Sequence, residues 1–493
     1  MMGIIFFVCV LFLVCLKFKV FGRNRGTYTL PPKVPGWFPI IGHLHQAVLS
    51  RSNLLKFVAS LSESCEKLGG VAVFNFGNEL YYLITNPQDA IIAGNSCINR
   101  HYAYDFCKIW LGHGLATATE ETWRHRRKLL NPAFSLPVIH GFLDVFNSQA
   151  KKLINELEPH IGKGPFDHSL YFKKNAVETL CVGTFGIKAI EDVNFIKKYT
   201  EAVSEMVSIL VSKFFKFWLQ SYLICKLTGI QDKEDSLVET MHNMSDKVIR
   251  EKRQILKKEA LNKTEKSEAA IGIEYRPFLD LLLELSANGA LTDKQIREEL
   301  NTIIGTGFET TSSQLMFSLM LLGSYPEVQE KMYQELLTVL GPDRDVERDD
   351  LTKLVYTNAV IMETLRVLPT IPCILRCVEK DVKLTNYTMQ AGSYCLIFPM
   401  MTNIVSTWNT KTSEFSPEGW LNGDFKNNQE FAAFGVGKRG CIGRTYAMIV
   451  LKVQLAHFIR RYRVKADMTQ LKLNFDFVLK PESGHEISIE RRM

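Results

Sequence analysis

The sequence has no Cys-x-x-Cys pair, no internal repeat, no linker that divides its main body and little excess of charge of either sign. Each absence removes a class of protein. Eleven cysteines, an odd number without paired spacing, argue against both a secreted disulfide framework and a zinc ribbon. They read as reduced residues in a cytosolic environment. A net charge of +7, from 59 Lys and Arg against 52 Asp and Glu, is mild for 493 residues and gives little support to nucleic-acid binding. What is present is ordinary: 46% hydrophobic and 23% charged residues exclude disorder, collagen and a coiled coil. A length prior of roughly 150 residues per domain gives about three. Without linkers, residues 51–493 read instead as a single domain with ample material for a large core.

The long hydrophobic run is N-terminal. Residues 3–16 read GIIFFVCVLFLVCL. At about 1.5 Å per residue this helix falls short of a ~30 Å hydrocarbon core, but continuing to Phe21 suffices if Lys17 and Lys19 snorkel to the headgroups. A cleaved signal peptide has an apolar region of the same length. Lys17, Lys19, Arg23 and Arg25 stand where its small-residue cleavage site belongs, so residues 1–21 read as an uncleaved signal anchor. Positive charge after the segment puts the following chain in the cytosol and the N-terminus in the lumen. The sequons at Asn243, Asn262 and Asn386 would then stay unmodified. Residues 22–50 read as a basic, proline-rich hinge, because the prolines from Pro31 to Pro39 fix φ and remove donors. A ligand for a proline-binding module is the alternative.

The body reads as mainly α with small β-sheets. Residues 71–85 alternate around Gly77-Asn78, a hairpin signal, and Asn86-Pro87 supplies an N-cap and N1 proline for a short helix. The longest helix starts at Thr292, with Gln295 completing a capping box, and runs apolar to about Leu322. Its middle contains Gly305-Thr306-Gly307. Two glycines cost roughly 1 kcal/mol each against Ala, so close approach to something is expected there. Residues 370–400 return to short strands, and 257–276 is the expected mobile loop.

Chemistry concentrates in the last two hundred residues. In Phe434-Gly435-Val436-Gly437-Lys438-Arg439-Gly440-Cys441-Ile442-Gly443, Cys441 sits where a loop enters a helix that begins near Ile442. The helix dipole and free N–H groups stabilise a thiolate there. Gly437 and Gly443 permit a tight turn and close approach of a flat partner, and Arg439 suits a carboxylate. A lone buried cysteine would be the plainer reading. The whole pattern, however, resembles the haem-thiolate loop of cytochromes P-450, FxxGxRxCxG, at every fixed position.

Other landmarks of that family stand in the right order along essentially the entire chain. Glu363 and Arg366 match its ExxR, which braces the core around the haem loop. Trp123 and Arg127 match WxxxR, and Arg376 resembles the strand arginine; in the family these reach the haem propionates. The basic run from Arg124 to Lys128 therefore reads as a propionate contact plus a basic face for an acidic electron-transfer partner. Thr306-Gly307-Phe308-Glu309-Thr310-Thr311 resembles [AG]GxDTT. There Gly307 would leave room for dioxygen, and Glu309 and Thr310 would form an acid–alcohol pair that relays protons. The competing reading is a hydroxyl bonding back along its helix. Trp110-Leu111-Gly112-His113-Gly114-Leu115, Trp123 through Phe134 and Ala447-Met448 look like the animal family-4 clan, especially insect members.

The resemblance implies a cytochrome P-450 fold with a long central helix over a non-covalent haem b held by Cys441, Trp123, Arg127, Arg376, Phe434, Gly437, Arg439 and Gly443. It implies a microsomal monooxygenase acting on a lipophilic substrate. Electrons would come from NADPH through cytochrome P-450 reductase, docking near Lys438, Arg444 and the basic helix, with cytochrome b5 as a second donor. Substrate contacts would come from Tyr102, Tyr104, Phe106, Trp110, Leu111, Thr306, Phe308, Thr370 and Ile371. The aromatic stretch from Phe214 to Trp218 reads as helix core or as a membrane-dipping entry. Alternatives are an oxygen-independent haem-thiolate isomerase or lyase, and a haem-binding carrier or sensor. Two departures stand out. Thr306 replaces the Glu that lipid ω-hydroxylases of this clan often esterify to haem. Gly419, in Pro417-Glu418-Gly419-Trp420, replaces the arginine that completes the brace, so another group or water must satisfy Glu363 and Arg366.

Overall fold

The computed structural model describes residues 28–39, 41–49, 54–186, 193–263, 277–398, 415–423 and 432–492. The expected anchor and most of the expected mobile loop lie outside them. Among the described residues no helix is long and apolar enough to cross a membrane. The chain is mainly helical with small sheets, in two compact units: Met1–Tyr102 with Pro372–Ser413 and Gln429–Gly440, and Ala103–Ile371 with Glu414–Asn428 and Cys441–Met493.

The first unit holds helices α1 (Leu54–Lys67) and α2 (Pro87–Ser96) and strands β1 (Val71–Phe76), β2 (Glu79–Ile84), β3 (Ile374–Val378), β4 (Val382–Lys383), β5 (Thr388–Met389) and β6 (Ser393–Ile397). The sheet order is β1-β2-β6-β3, with β2 and β6 parallel. The hairpin forms as expected: Phe76 pairs with Glu79 across Gly77, whose φ of 60° is the left-handed geometry that a two-residue turn requires. Alternation does not carry through, because β1 is buried from Val71 to Asn75. The proline-rich segment explains this. Val34 N–H donates to Val73 O at 3.0 Å and Val73 N–H to Pro32 O at 2.9 Å, and buried His43 bonds to Val34 O at 2.9 Å. The expected hinge is therefore docked on the sheet edge from Pro32 onward. Asn86 caps α2, its side chain accepting from Asp89 N–H.

The second unit is built from α3 (Glu120–Leu130), α4 (Leu143–Leu157), α5 (Ser169–Phe185), α6 (Val193–Phe215), α7 (Ile230–Lys263), α8 (Phe278–Ala287), α9 (Asp293–Ser324), α10 (Pro326–Leu340), α11 (Val355–Val367) and α12 (Arg444–Arg461), with strands β7 (Tyr462–Lys465), β8 (Lys472–Asp476), β9 (Val478–Ser483) and β10 (Ser488–Arg491). The helix α9, 32 residues and about 48 Å long, runs through its centre. The Thr292–Gln295 capping box starts it, and residues buried on every side from Ile296 to Leu322 explain its lack of an apolar stripe. It packs on α5, α7, α8, α11 and α12. The glycines at its middle are accounted for by packing. A Cβ on Gly305 would meet the Trp110 indole at 2.5 Å, and one on Gly307 would meet Leu180 of α5 at 3.0 Å. The approach expected there comes from side chains of neighbouring elements, and at Gly307 it is made by Leu180.

Candidate functional site

In the second unit the thiol of Cys441 lies three residues before the first residue of α12, whose N-cap is Gly443. The helix thus begins two residues later than expected. Cys441 is exposed, whereas the other cysteines among the described residues are buried or intermediate. A Cβ on Gly443 would stand 3.8 Å from Cys441 Sγ, ordinary contact distance, so this glycine is not forced by crowding against protein atoms. Trp123 is buried on α3, and Arg127, one turn on, bonds through Nε to Asn131 Oδ1 at 2.7 Å. Burial lowers the Arg127 pKa, and the charge of Cys441 opposes that shift. The guanidinium therefore lies within electrostatic reach of the Cys441 sulfur.

Arg126 departs from the expected basic face. It is buried, donating to Glu298 Oε2 at 2.9 Å, Glu299 Oε1 at 2.8 Å and His113 O at 2.6 Å. It ties α3 to α9, while Arg124 and Lys128 stay at the surface. On α9, Thr306 and Thr310 are one turn apart on one face. Their hydroxyls donate to Thr302 O at 2.6 Å and Thr306 O at 2.8 Å, so the back-bonded geometry is present. Glu309 points elsewhere: it is buried, its carboxylate without a hydrogen-bond partner among the described residues and 3.8 Å from Lys173 Nζ. The expected acid–alcohol pair is thus adjacent in sequence but split between two faces.

The expected substrate residues also divide. Tyr104 faces Phe477 with ring centroids 6.5 Å apart, and Phe477 has a left-handed φ of 60° at the β8–β9 turn. Trp110 and Leu111 are buried. Thr370 donates to Gln314 Oε1 at 3.0 Å and accepts from Leu479 N–H at 2.8 Å, next to the partly buried Ile371. Phe308 is fully buried with its ring 5.9 Å from that of Tyr199, and two residues on a helix turn it about 200° away from Thr306. Phe106 is partly buried.

In the first unit, Tyr102 donates to Glu79 Oε2 at 3.4 Å and packs on His101 at 4.2 Å. Arg376 lies buried on β3, and Arg439 is buried with Nε donating to Ile98 O at 3.1 Å. Gly437 has a φ of 69°, and a Cβ there would meet Gly94 C at 2.2 Å; Gly440 N–H donates to Gly437 O at 3.1 Å. Phe434, partly buried, opens this turn.

A model of the Cytochrome P450 family matches residues 32–489. The chain belongs to the cytochrome P450 family. Curated relatives include Cytochrome P450 4c3 of Drosophila melanogaster, 29% identical over 93% of this chain and 89% of that protein. Cytochrome P450 4V2 of Mus musculus is 30% identical over 94% and 90%, and Cytochrome P450 4c21 of Blattella germanica 28% over 98% of each. Membership of the P450 family implies haem b, and the residues of the second unit fit it: an exposed cysteine just before a helix N-terminus, with the Arg127 guanidinium in electrostatic reach of it.

Sequence reading missed Arg126, Lys173, Phe477 and Trp420. Phe477 could have been found as the turn of a C-terminal hairpin. The others depend on partners far along the chain, which no local pattern identifies.

Proposed function

We propose that this P450 is a membrane-associated monooxygenase that inserts one oxygen atom of dioxygen into a lipophilic substrate by hydroxylation or epoxidation. The observation that carries the reading is Cys441, exposed at the α12 N-terminus within a complete haem-loop motif. Haem held by this thiolate supplies an iron whose electron density favours O–O cleavage. Cys441 would be the ligand; Trp123, Arg127, Arg376 and Arg439 would hold the propionates; Phe434, Gly437 and Gly443 would shape the loop. Thr310, with its proton on the Thr306 carbonyl, keeps lone pairs to accept a further hydrogen bond. Glu309, beside Lys173, holds a carboxylate within helix α9 as the acid of the relay. Tyr102, Tyr104, Phe106, Trp110, Leu111, Thr306, Phe308, Thr370 and Ile371 contact substrate and exclude water.

Electrons come from NADPH through a reductase, with cytochrome b5 as a second donor, and the exposed Lys438 and Arg444 offer cations to an acidic partner. Residues 1–21 anchor the protein in the endoplasmic reticulum with its N-terminus lumenal and residues 51–493 as the cytosolic catalytic body. Trp218, Tyr222, Leu223 and Leu227 are 46–78% exposed, an apolar group suited to the same bilayer.

The test is the carbon-monoxide difference spectrum of the reduced protein in microsomes. A strongly red-shifted Soret band that vanishes in Cys441→Ala is expected, and absence of haem would overturn the reading. With reductase and a lipid substrate, Thr310→Ala should uncouple NADPH use from product. An isomerase would be indifferent to that change.

A further inference from the structure

The brace formed by Glu363 and Arg366 lacks the arginine that the family places at position 419, and the structure shows what stands in its stead. Glu363 is 1% exposed at its side chain. It accepts four hydrogen bonds: Arg366 Nε to Oε2 and Arg366 NH2 to Oε1, both at 2.7 Å, Ser416 N–H to Oε1 at 3.1 Å, and Trp420 Nε1–H to Oε2 at 2.9 Å. A carboxylate offers about four lone-pair sites, so the acceptor is full. Two of the four donors come from the segment around Gly419.

We infer that Trp420 is the third member of the brace, a positioning residue that takes over the role of the missing arginine through its indole N–H. The inference rests on the monooxygenase reading only for its functional consequence. The segment it holds is short: residues 415–423, with the helical turn Glu418–Leu421. Besides Glu363, the segment is tied by Glu418, which accepts from Lys331 Nζ at 2.6 Å and Tyr356 Oη at 2.9 Å, and by Phe415 against Tyr325. The anchor on Glu363 is the buried one; Lys331 is more than half exposed. Because α11 also packs on α12, which starts just after Cys441, a carboxylate held on α11 fixes the segment and the thiolate helix to one frame. The exchange also changes the charge. One acid with two guanidinium groups carries a net positive charge, whereas Glu363, Arg366 and a neutral indole carry none. The brace therefore buries one cation fewer, which lowers its desolvation cost.

Trp420→Phe keeps a ring and removes the donor; Trp420→Phe with Gly419→Arg returns a donor from the neighbouring position to the freed lone pair. Both are compared with the full-length parent in microsomes by two readouts. Hydrogen exchange at the Ser416 amide reports the brace whether or not haem is bound. The ratio of the red-shifted to the shorter-wavelength carbon-monoxide band reports thiolate ligation. Trp420→Phe should speed the exchange and lower the band ratio by roughly tenfold, the scale of a lost bond to a buried charge. The double variant should recover most of both. Unchanged values in Trp420→Phe overturn the inference. So does a loss, or a failure to fold, that the double variant leaves unrepaired, since that assigns Trp420 to packing alone. A change in exchange from a parent that shows no red-shifted band would keep the brace and remove the monooxygenase reading.

Discussion

At the scale of single residues, a helix propensity and a packing contact pull in opposite directions at Gly305. Alanine there would gain about 1 kcal/mol of helix propensity. Its Cβ, however, would stand 2.5 Å from the ring of buried Trp110, whose backbone carbonyl is hydrogen-bonded to Asn301 and His242. Overpacking of a buried site costs about 1–3 kcal/mol, so the clash wins. Gly305→Ala should lower stability by roughly 1–2 kcal/mol in a denaturant titration, and adding Trp110→Leu should return most of it. A stabilised single variant would show that Trp110 yields without cost. Residue-level legibility follows the same division. The glycines announced a close approach because their helix cost is local, but the identity of what approaches is set by elements 195 and 127 residues away in the chain, Trp110 and Leu180, which no window contains.

Elements whose signals are local were readable from the chain. The Thr292–Gln295 box, the Asn86 cap and the Gly77 turn all formed where their side chains and backbone need them. The basic run on α3 shows the converse. Arg124 to Lys128 looks like a solvated face, yet Arg126 is paired with two carboxylates more than 170 residues on, at Glu298 and Glu299. The side chain of Arg126 is 5% exposed and those of its partners are 8% and 0%, so solvent screens the pair weakly. Removing one partner of such a group strands buried charge at a cost of about 3–5 kcal/mol. Arg126→Met should therefore detach α3 from α9 and sharply reduce the yield of folded protein. Arg126→Met with Glu298→Gln and Glu299→Gln should restore a substantial part, because no uncompensated charge remains. Equal losses in both variants would mean that shape, not charge, joins the two helices. Since α3 carries Trp123 and Arg127, the same interaction positions the expected propionate contacts.

For the whole molecule, buried histidines in both units lower stability in acid. His101, in the first, is pushed down to about 3 by burial; in the second, burial pushes His168 to about 3 and His457 to about 4. Each is neutral in the native state and ordinary, near 6.5, once unfolded. As pH falls below that value the unfolded chain takes up protons that the native chain refuses, so stability declines by roughly 1.4 kcal/mol per pH unit for each histidine. The loss runs from about 6.5 down toward 4, where His457 begins to accept its proton in the folded state. Glu79 and Glu299, raised by burial, oppose it, because each takes up its proton in the folded state at a higher pH than in the unfolded chain. His168 isolates the effect, because it is fully buried and both its ring nitrogens lack a hydrogen-bond partner among the described residues. His168→Leu should leave stability at pH 7.5 unchanged or higher, and should flatten the decline between pH 6.5 and 5 by about one proton, roughly 2 kcal/mol over that interval. Denaturant midpoints measured across the range decide it: parallel curves for parent and variant would show that His168 takes up its proton without unfolding.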